Sequence, residues 1–130
     1  MNDLRDALNQ VEEFHTAFKV MNKYKPTTIP LSDYVLRHTL MNEENTEYLQ
    51  ACSEGNLVEI ADALGDQLYI LCGTILKHGL QDKIKEVFNE IHQSNMSKLD
   101  ANGHPILRAD GKVLKSDLYF RPNIKGVLNQ

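Results

Sequence analysis

The chain has 130 residues, 42% of them hydrophobic and 25% charged, which fits one globular domain. Its net charge of −4 argues against wholesale binding to nucleic acid or to a membrane surface. No apolar run is long enough to span a bilayer, and the polar stretch Met1 to Gln10 is no signal peptide.

The first predicted element is a helix from about Asp3 to Met21, with Leu4, Leu8, Val11, Phe14 and Phe18 at helical spacing. Apolar residues in that pattern are usually core, so Phe14 and Phe18 are expected inside, although one ring could stack on a flat ligand. Pro26 and Pro30 mark the loop that follows. A second helix starts near Ser32 and ends before Gly55. A third starts after Asn56 and ends before Gly79, and a fourth runs from near Asp82 to about Lys98.

Beyond Lys98 the chain changes character. Gly103, Pro105, Gly111 and Pro122 break any helix, and Asp110-Gly111 between two apolar pairs signals a hairpin. The expected architecture is therefore all-α. It is an antiparallel four-helix bundle over residues 1–98 with an extended arm, carrying one short hairpin, over residues 99–130. From Lys98 to Lys125 six basic residues face three acidic ones, a net +3, which leaves −7 for the remainder. Four helices in so short a chain leave apolar faces uncovered, so a homo-oligomer is expected, a dimer first and a tetramer second. Cys52 and Cys72 have no partner motif and read as reduced, packed thiols of a cytoplasmic protein.

The second and third helices carry the chemistry. With Glu43 at 0°, Glu47 falls at about 40° and Glu44 at about 100°, in the sector of Leu36, Leu40 and Ala51. On the third helix, apolar residues cover nearly every direction, as in a buried helix. Yet Glu59, Asp62 and Asp66 form one stripe that Tyr69 and Gly73 continue. Carboxylates at spacings of three and four share a face. Several of them inside a bundle cannot all stay ionised without a counter-charge: protonation could relieve one or two, and a divalent cation with a taste for oxygen, Mg²⁺ or Mn²⁺, relieves four or five. Taken singly, each has a plainer reading: Glu59, three residues after Asn56, is also placed as a helix-capping partner.

The run Glu43-Glu44-Asn45-Thr46-Glu47, followed by Glu59-Ile60-Ala61-Asp62, resembles the EExxE…ExxD signature of the all-α nucleoside triphosphate pyrophosphohydrolases, the MazG-like superfamily. The stretches EVFNEIHQSNMSKLD and GHPILRADGKVLKSDLYFRPNI are similar to the bacterial phosphoribosyl-ATP pyrophosphohydrolase-like subgroup, which is linked to dUTP hydrolysis. The resemblance implies a hydrolase that cleaves a nucleoside triphosphate to monophosphate and pyrophosphate, with two or more Mg²⁺ or Mn²⁺ ions per site. It implies metal ligands at Glu44, Glu47, Glu59 and Asp62, and a water-activating base at Glu43. Asn95 and Lys98 match substrate-contacting positions. Lys112 and Lys115 are further phosphate candidates, and Asp66 is expected to stand behind the ligands. dUTP is the first expected substrate, then other non-standard or pyrimidine deoxynucleotides.

Two other readings compete. A carboxylate-bridged di-iron bundle wants Glu-x-x-His on two helices, and only Glu12 to His15 offers it. A non-catalytic nucleotide-binding or interaction module on the same fold would have no need of a base at Glu43.

Overall fold

The computed structural model describes residues 3–130. They form, in order, α1 (Asp3–Ala17), α2 (Leu31–Ser53), α3 (Leu57–Lys77), α4 (Ile84–Met96), β1 (Ile106–Leu107), β2 (Val113–Leu114) and α5 (Ile124–Leu128). The chain divides into two compact units, Met1–Asp82 and Lys83–Gln130. Among the described residues no helix is long and apolar enough to cross a membrane.

Three helices of the first unit end in the same way. In each, an amide three residues past the stop reaches back five residues, over a residue with positive φ. The bonds are Val20 N to His15 O, Asn56 N to Ala51 O and Leu80 N to Ile75 O, at 2.8, 3.1 and 3.0 Å. Glycine supplies the left-handed residue after α2 and α3, at Gly55 and Gly79. After α1 it is Lys19, with φ 60°. This turn stops α1 at Ala17, four residues short of the expected Met21, because nothing in the local sequence marks a lysine for that conformation. Gly79 has a second constraint: a Cβ there would collide with the backbone of Lys25. The loop after α1 is pinned to the end of α3 by Lys23 N to Leu76 O (3.1 Å) and Thr27 N to His78 O (2.9 Å). Gln81 Nε2 donates to Lys23 O from the chain just beyond α3 (2.9 Å).

α3 packs against both α1 and α2. α1 buries Leu8, Val11 and His15, a three-and-four spacing that sets its inner face. α3 contributes Ala63, Cys72, Gly73, Ile75 and Leu76. The expectation that α3 is enclosed on all sides does not hold. Leu57, Val58, Leu64, Leu68 and Leu71 are exposed, as are Val35, Leu36 and Leu49 of α2. A three-helix unit covers one side of α3, and periodicity cannot tell a face that the chain covers from one that it leaves bare. The cysteines part company too: Cys72 is buried and Cys52 exposed.

In the second unit, α4 spans Ile84–Met96, two residues shorter at each end than the sequence suggests. β1 and β2 pair antiparallel, Ile106 opposite Leu114 and Leu107 opposite Val113, around the Asp110-Gly111 turn. Three serines tie the arm to the end of α4. Ser94 Oγ donates to Phe120 O (2.8 Å), Ser116 Oγ donates to Ser97 O (2.9 Å), and Ser97 Oγ accepts from Phe120 N (3.1 Å). The five-residue α5 was not anticipated. Asn123 starts it by accepting from Gly126 N at 3.0 Å, directly after the proline that had been read as a breaker.

Candidate functional site

α2 and α3 form a helical hairpin whose connection is only three residues long. Asn56 caps α3 by accepting from the backbone amide of Glu59 at 3.2 Å, while its own amide donates to Ala51 O (3.1 Å), so the Glu59 carboxylate takes no part in the cap. The cap fixes the first turn of α3 and hence the phase of Glu59, Asp62 and Asp66 along it.

Glu44, Glu47, Asp62 and Asp66 come together along the α2–α3 seam, and they do so at the surface. Glu43, Glu47, Glu59 and Asp62 are exposed, while Glu44 and Asp66 are half-buried. The expected interior position therefore does not hold in the single chain. The sector the glutamates share with Leu36, Leu40 and Ala51 is covered only in part: Ala51 is buried, Leu40 half-buried and Leu36 exposed.

Within the seam Glu44 is the focal group. Its Oε2 is buried and has no hydrogen-bonding partner. Desolvation, then a hydrogen bond with Glu47, then the charges of Asp66, Glu47 and Asp62 push its carboxyl from 4.5 up to about 7. Four carboxylates from two helices are thus near enough to oppose one another's ionisation. Asp66, expected to stand behind the ligands, presses on Glu44 with the largest purely electrostatic effect of the three. Its signal in the sequence was the four-residue step from Asp62. Glu47 and Glu59 share a cleft of about 240 Å³ with Gln50, Ala51 and Glu54. Glu47 thereby links Glu59 to the group around Glu44. Among the described residues, no three His, Cys, Asp or Glu side chains form a group that could hold a metal ion as they stand. Loading an ion requires side-chain rotation, which exposed carboxylates make readily.

Behind the seam lies an arrangement the sequence did not suggest. Arg37 reaches from α2 to α3, donating through Nε to Thr74 Oγ1 (3.0 Å) and through Nη2 to Ile70 O (2.8 Å). Gly73 makes room for it: a Cβ there would lie 2.5 Å from Arg37 Nη2 and 3.0 Å from His15 Nε2. His15 shares a 2.6 Å hydrogen bond between Nδ1 and Asn22 Oδ1. Burial lowers its pKa, and the Arg37 and Lys77 charges add to that, against the effect of Asn22.

Asn95, Lys98, Lys112 and Lys115 all belong to the second unit. Asn95 is exposed near the end of α4, and its carbonyl accepts from Lys98 N at 3.2 Å. The Ser116–Ser97 bond puts Lys98 and Lys115 on either side of one contact. Lys115 Nζ lies 4.6 Å from the centroid of the Tyr119 ring. Lys115 also lines a cavity of about 370 Å³ with Asp100, Asn102, Ser116 and Asp117. Lys112 is exposed in the hairpin, its amide donating to Asp110 Oδ1 at 3.1 Å.

A mostly helical chain with paired carboxylates on two adjacent helices, opposing one another's ionisation, has the features of the all-α nucleotide pyrophosphohydrolases. The family model for phosphoribosyl-ATP pyrophosphohydrolase matches residues 11–95, well over half of the chain and all of α2 and α3. The chain belongs to that family, and it is a hydrolase of phosphoric anhydride bonds. No curated protein matches it.

Proposed function

We propose that this protein hydrolyses a nucleoside triphosphate to the monophosphate and pyrophosphate in a reaction dependent on Mg²⁺ or Mn²⁺. dUTP, or another non-standard or pyrimidine deoxynucleotide, is the first substrate to test. The observation that carries the reading is Glu44. A buried carboxylate oxygen without a partner, beside Glu47, Asp62 and Asp66, is costly to ionise unless a cation joins it. All the donors are carboxylate oxygens, which suits a hard divalent ion.

Glu44, Glu47, Glu59 and Asp62 would hold two or more ions, with Asp66 beside them. Bound there, such ions neutralise phosphate charge and lower the pKa of water. Glu43 accepts the proton of the attacking water as general base; it stands on the same helix, about 40° around from Glu47. Asn95 and Lys98 contact the substrate. Lys112 and Lys115 stabilise charge on the phosphoryl oxygens. The residues act as one catalytic domain, and the basic arm 99–130 supplies the phosphate contacts. Exposed leucines on both α2 and α3 support a second copy packed against this hairpin, as a dimer or a tetramer.

The test is a panel of ribo- and deoxynucleoside triphosphates, phosphoribosyl-ATP included, with Mg²⁺, Mn²⁺ or EDTA. Phosphate and pyrophosphate are measured separately. Pyrophosphate release that EDTA abolishes supports the reading. Release unaffected by EDTA, or no release from any nucleotide, overturns it.

A further inference from the structure

The acidic stripe of α3 does not end at Asp66. With Glu59 at 0°, Asp66 lies at about 340°, Asp62 at about 300° and Tyr69 at about 280°, so Tyr69 continues the stripe one turn toward the C-terminus. The rings of Phe14, on α1, and Phe18, just past its end, join it there. The Phe14 ring centroid is 5.6 Å from that of Tyr69, with the planes at 82°, and 4.5 Å from that of Phe18, with the planes at 32°.

Rings grouped like this normally form core, and Phe14 and Phe18 carry the spacing of core residues. Here Phe14 and Tyr69 are each 42% exposed and Phe18 67% exposed. The inner face of α1 is made by Leu8, Val11 and His15 instead. Three aromatic rings thus stand open to solvent beside the carboxylates that press on Glu44. A patch of this kind on a monomer's surface calls for an occupant.

We infer that Phe14, Phe18 and Tyr69 form the platform on which the base of the substrate stacks while its phosphates lie on the carboxylate seam. This rests on the function proposed above and adds to it the subsite that binds the base. The geometry agrees in direction. Three residues of helix separate Asp66 from Tyr69, a rise of about 4.5 Å, and seven separate Asp62 from it, about 10 Å. A nucleotide spans a comparable length from its phosphates to its base. Stacking on aromatic rings is tolerant of base identity, because every base has a π-face. The platform therefore supplies affinity and leaves discrimination among bases to polar groups. The chain has no tryptophan, so tyrosine emission reports on occupancy.

The test is calorimetric and uses two probes, a non-hydrolysable α,β-imido analogue of dUTP and inorganic tripolyphosphate, each with Mg²⁺. The wild-type chain is expected to bind the analogue at least about tenfold more tightly than tripolyphosphate. Phe14→Leu and Tyr69→Leu each lose about tenfold for the analogue and nothing for tripolyphosphate, whereas Tyr69→Phe, which keeps the ring, binds as wild type does. Tyrosine emission changes with the analogue and not with tripolyphosphate. The inference is overturned if the leucine variants bind the analogue normally, if they lose both probes equally, or if Tyr69→Phe is as weak as Tyr69→Leu. A change of sedimentation in the leucine variants with unaltered analogue affinity also overturns it, and marks the rings as a contact between copies. Tight analogue binding without turnover of any nucleotide contradicts the proposed reaction alone, so the two failures are distinguishable.

Discussion

Replacing Glu44 by Gln isolates the group on which the seam depends. In the metal-free protein its carboxyl is held near pH 7, against an ordinary 4.5. A carboxyl raised in this way is tolerated in the fold while protonated, and it destabilises the fold progressively as pH rises from 4.5 through 7. Each pKa unit corresponds to about 1.4 kcal/mol, so full ionisation has a ceiling of roughly 3 kcal/mol. Solvent reaches this seam and screens its charges, which brings the expected effect to about 1–2 kcal/mol. The amide keeps the shape of the protonated acid and never ionises. Urea unfolding in EDTA should therefore show Glu44→Gln more stable than wild type by about 1–2 kcal/mol at pH 8, and nearly equal to it at pH 4.5. Adding Mg²⁺ at pH 8 should reverse the order, because saturation at a hundredfold over Kd is worth about 2.7 kcal/mol to whichever protein binds the ion. A variant less stable than wild type in EDTA at pH 8 would refute the reasoning, since Glu44 would then be a stabilising group and not a strained one.

Other expectations follow from the same geometry. Asp62→Ala should lower turnover by more than the roughly 10- to 100-fold typical of losing a group that only supports a metal ligand, with folding intact; near-normal turnover would remove Asp62 from the site. Lys98→Ala should weaken triphosphate binding about tenfold with little change in unfolding midpoint, the loss expected for one charge-assisted hydrogen bond. His15 is held neutral, so stability should be fully present above pH 6.5 and fall as pH drops below it; His15→Gln should flatten that slope in unfolding measured from pH 7.5 to 5. Gly79→Ala should cost at least about 2 kcal/mol by urea unfolding, combining a left-handed φ with a collision against the Lys25 backbone; a loss below 0.5 kcal/mol would mean that this turn moves aside at about no cost.

The helical hairpin was largely legible in the sequence. Asn56 and Gly55 bracket its turn, and the three-and-four spacing of carboxylates fixed the phase of α2 and α3. Asp110-Gly111 likewise predicted the β1–β2 turn. What escaped has physical causes. Lys19 stops α1 in a conformation that lysine seldom adopts, and five-residue α5 is too short to carry a period. The burial of α3 was overestimated because an apolar residue reveals that a face wants cover, and says nothing about whether the same chain supplies it. Phe14 and Phe18 were assigned to the core on spacing alone, yet His15, one position away, takes the inward direction, held by its bond to Asn22. Arg37 and Gly73 meet only through the tertiary fold, so no local pattern announces them.

The central claim is that carboxylates from α2 and α3 act together as a cation site, and Mn²⁺ offers the most direct reading of it. Titrating the chain with Mn²⁺ while following the electron paramagnetic resonance signal of the free aqueous ion should show at least one ion removed per chain at pH 8. The Glu47→Ala, Asp62→Ala double variant should leave that signal undiminished. Equal free Mn²⁺ over the wild-type and doubly substituted chains, at every point of the titration, would contradict the account.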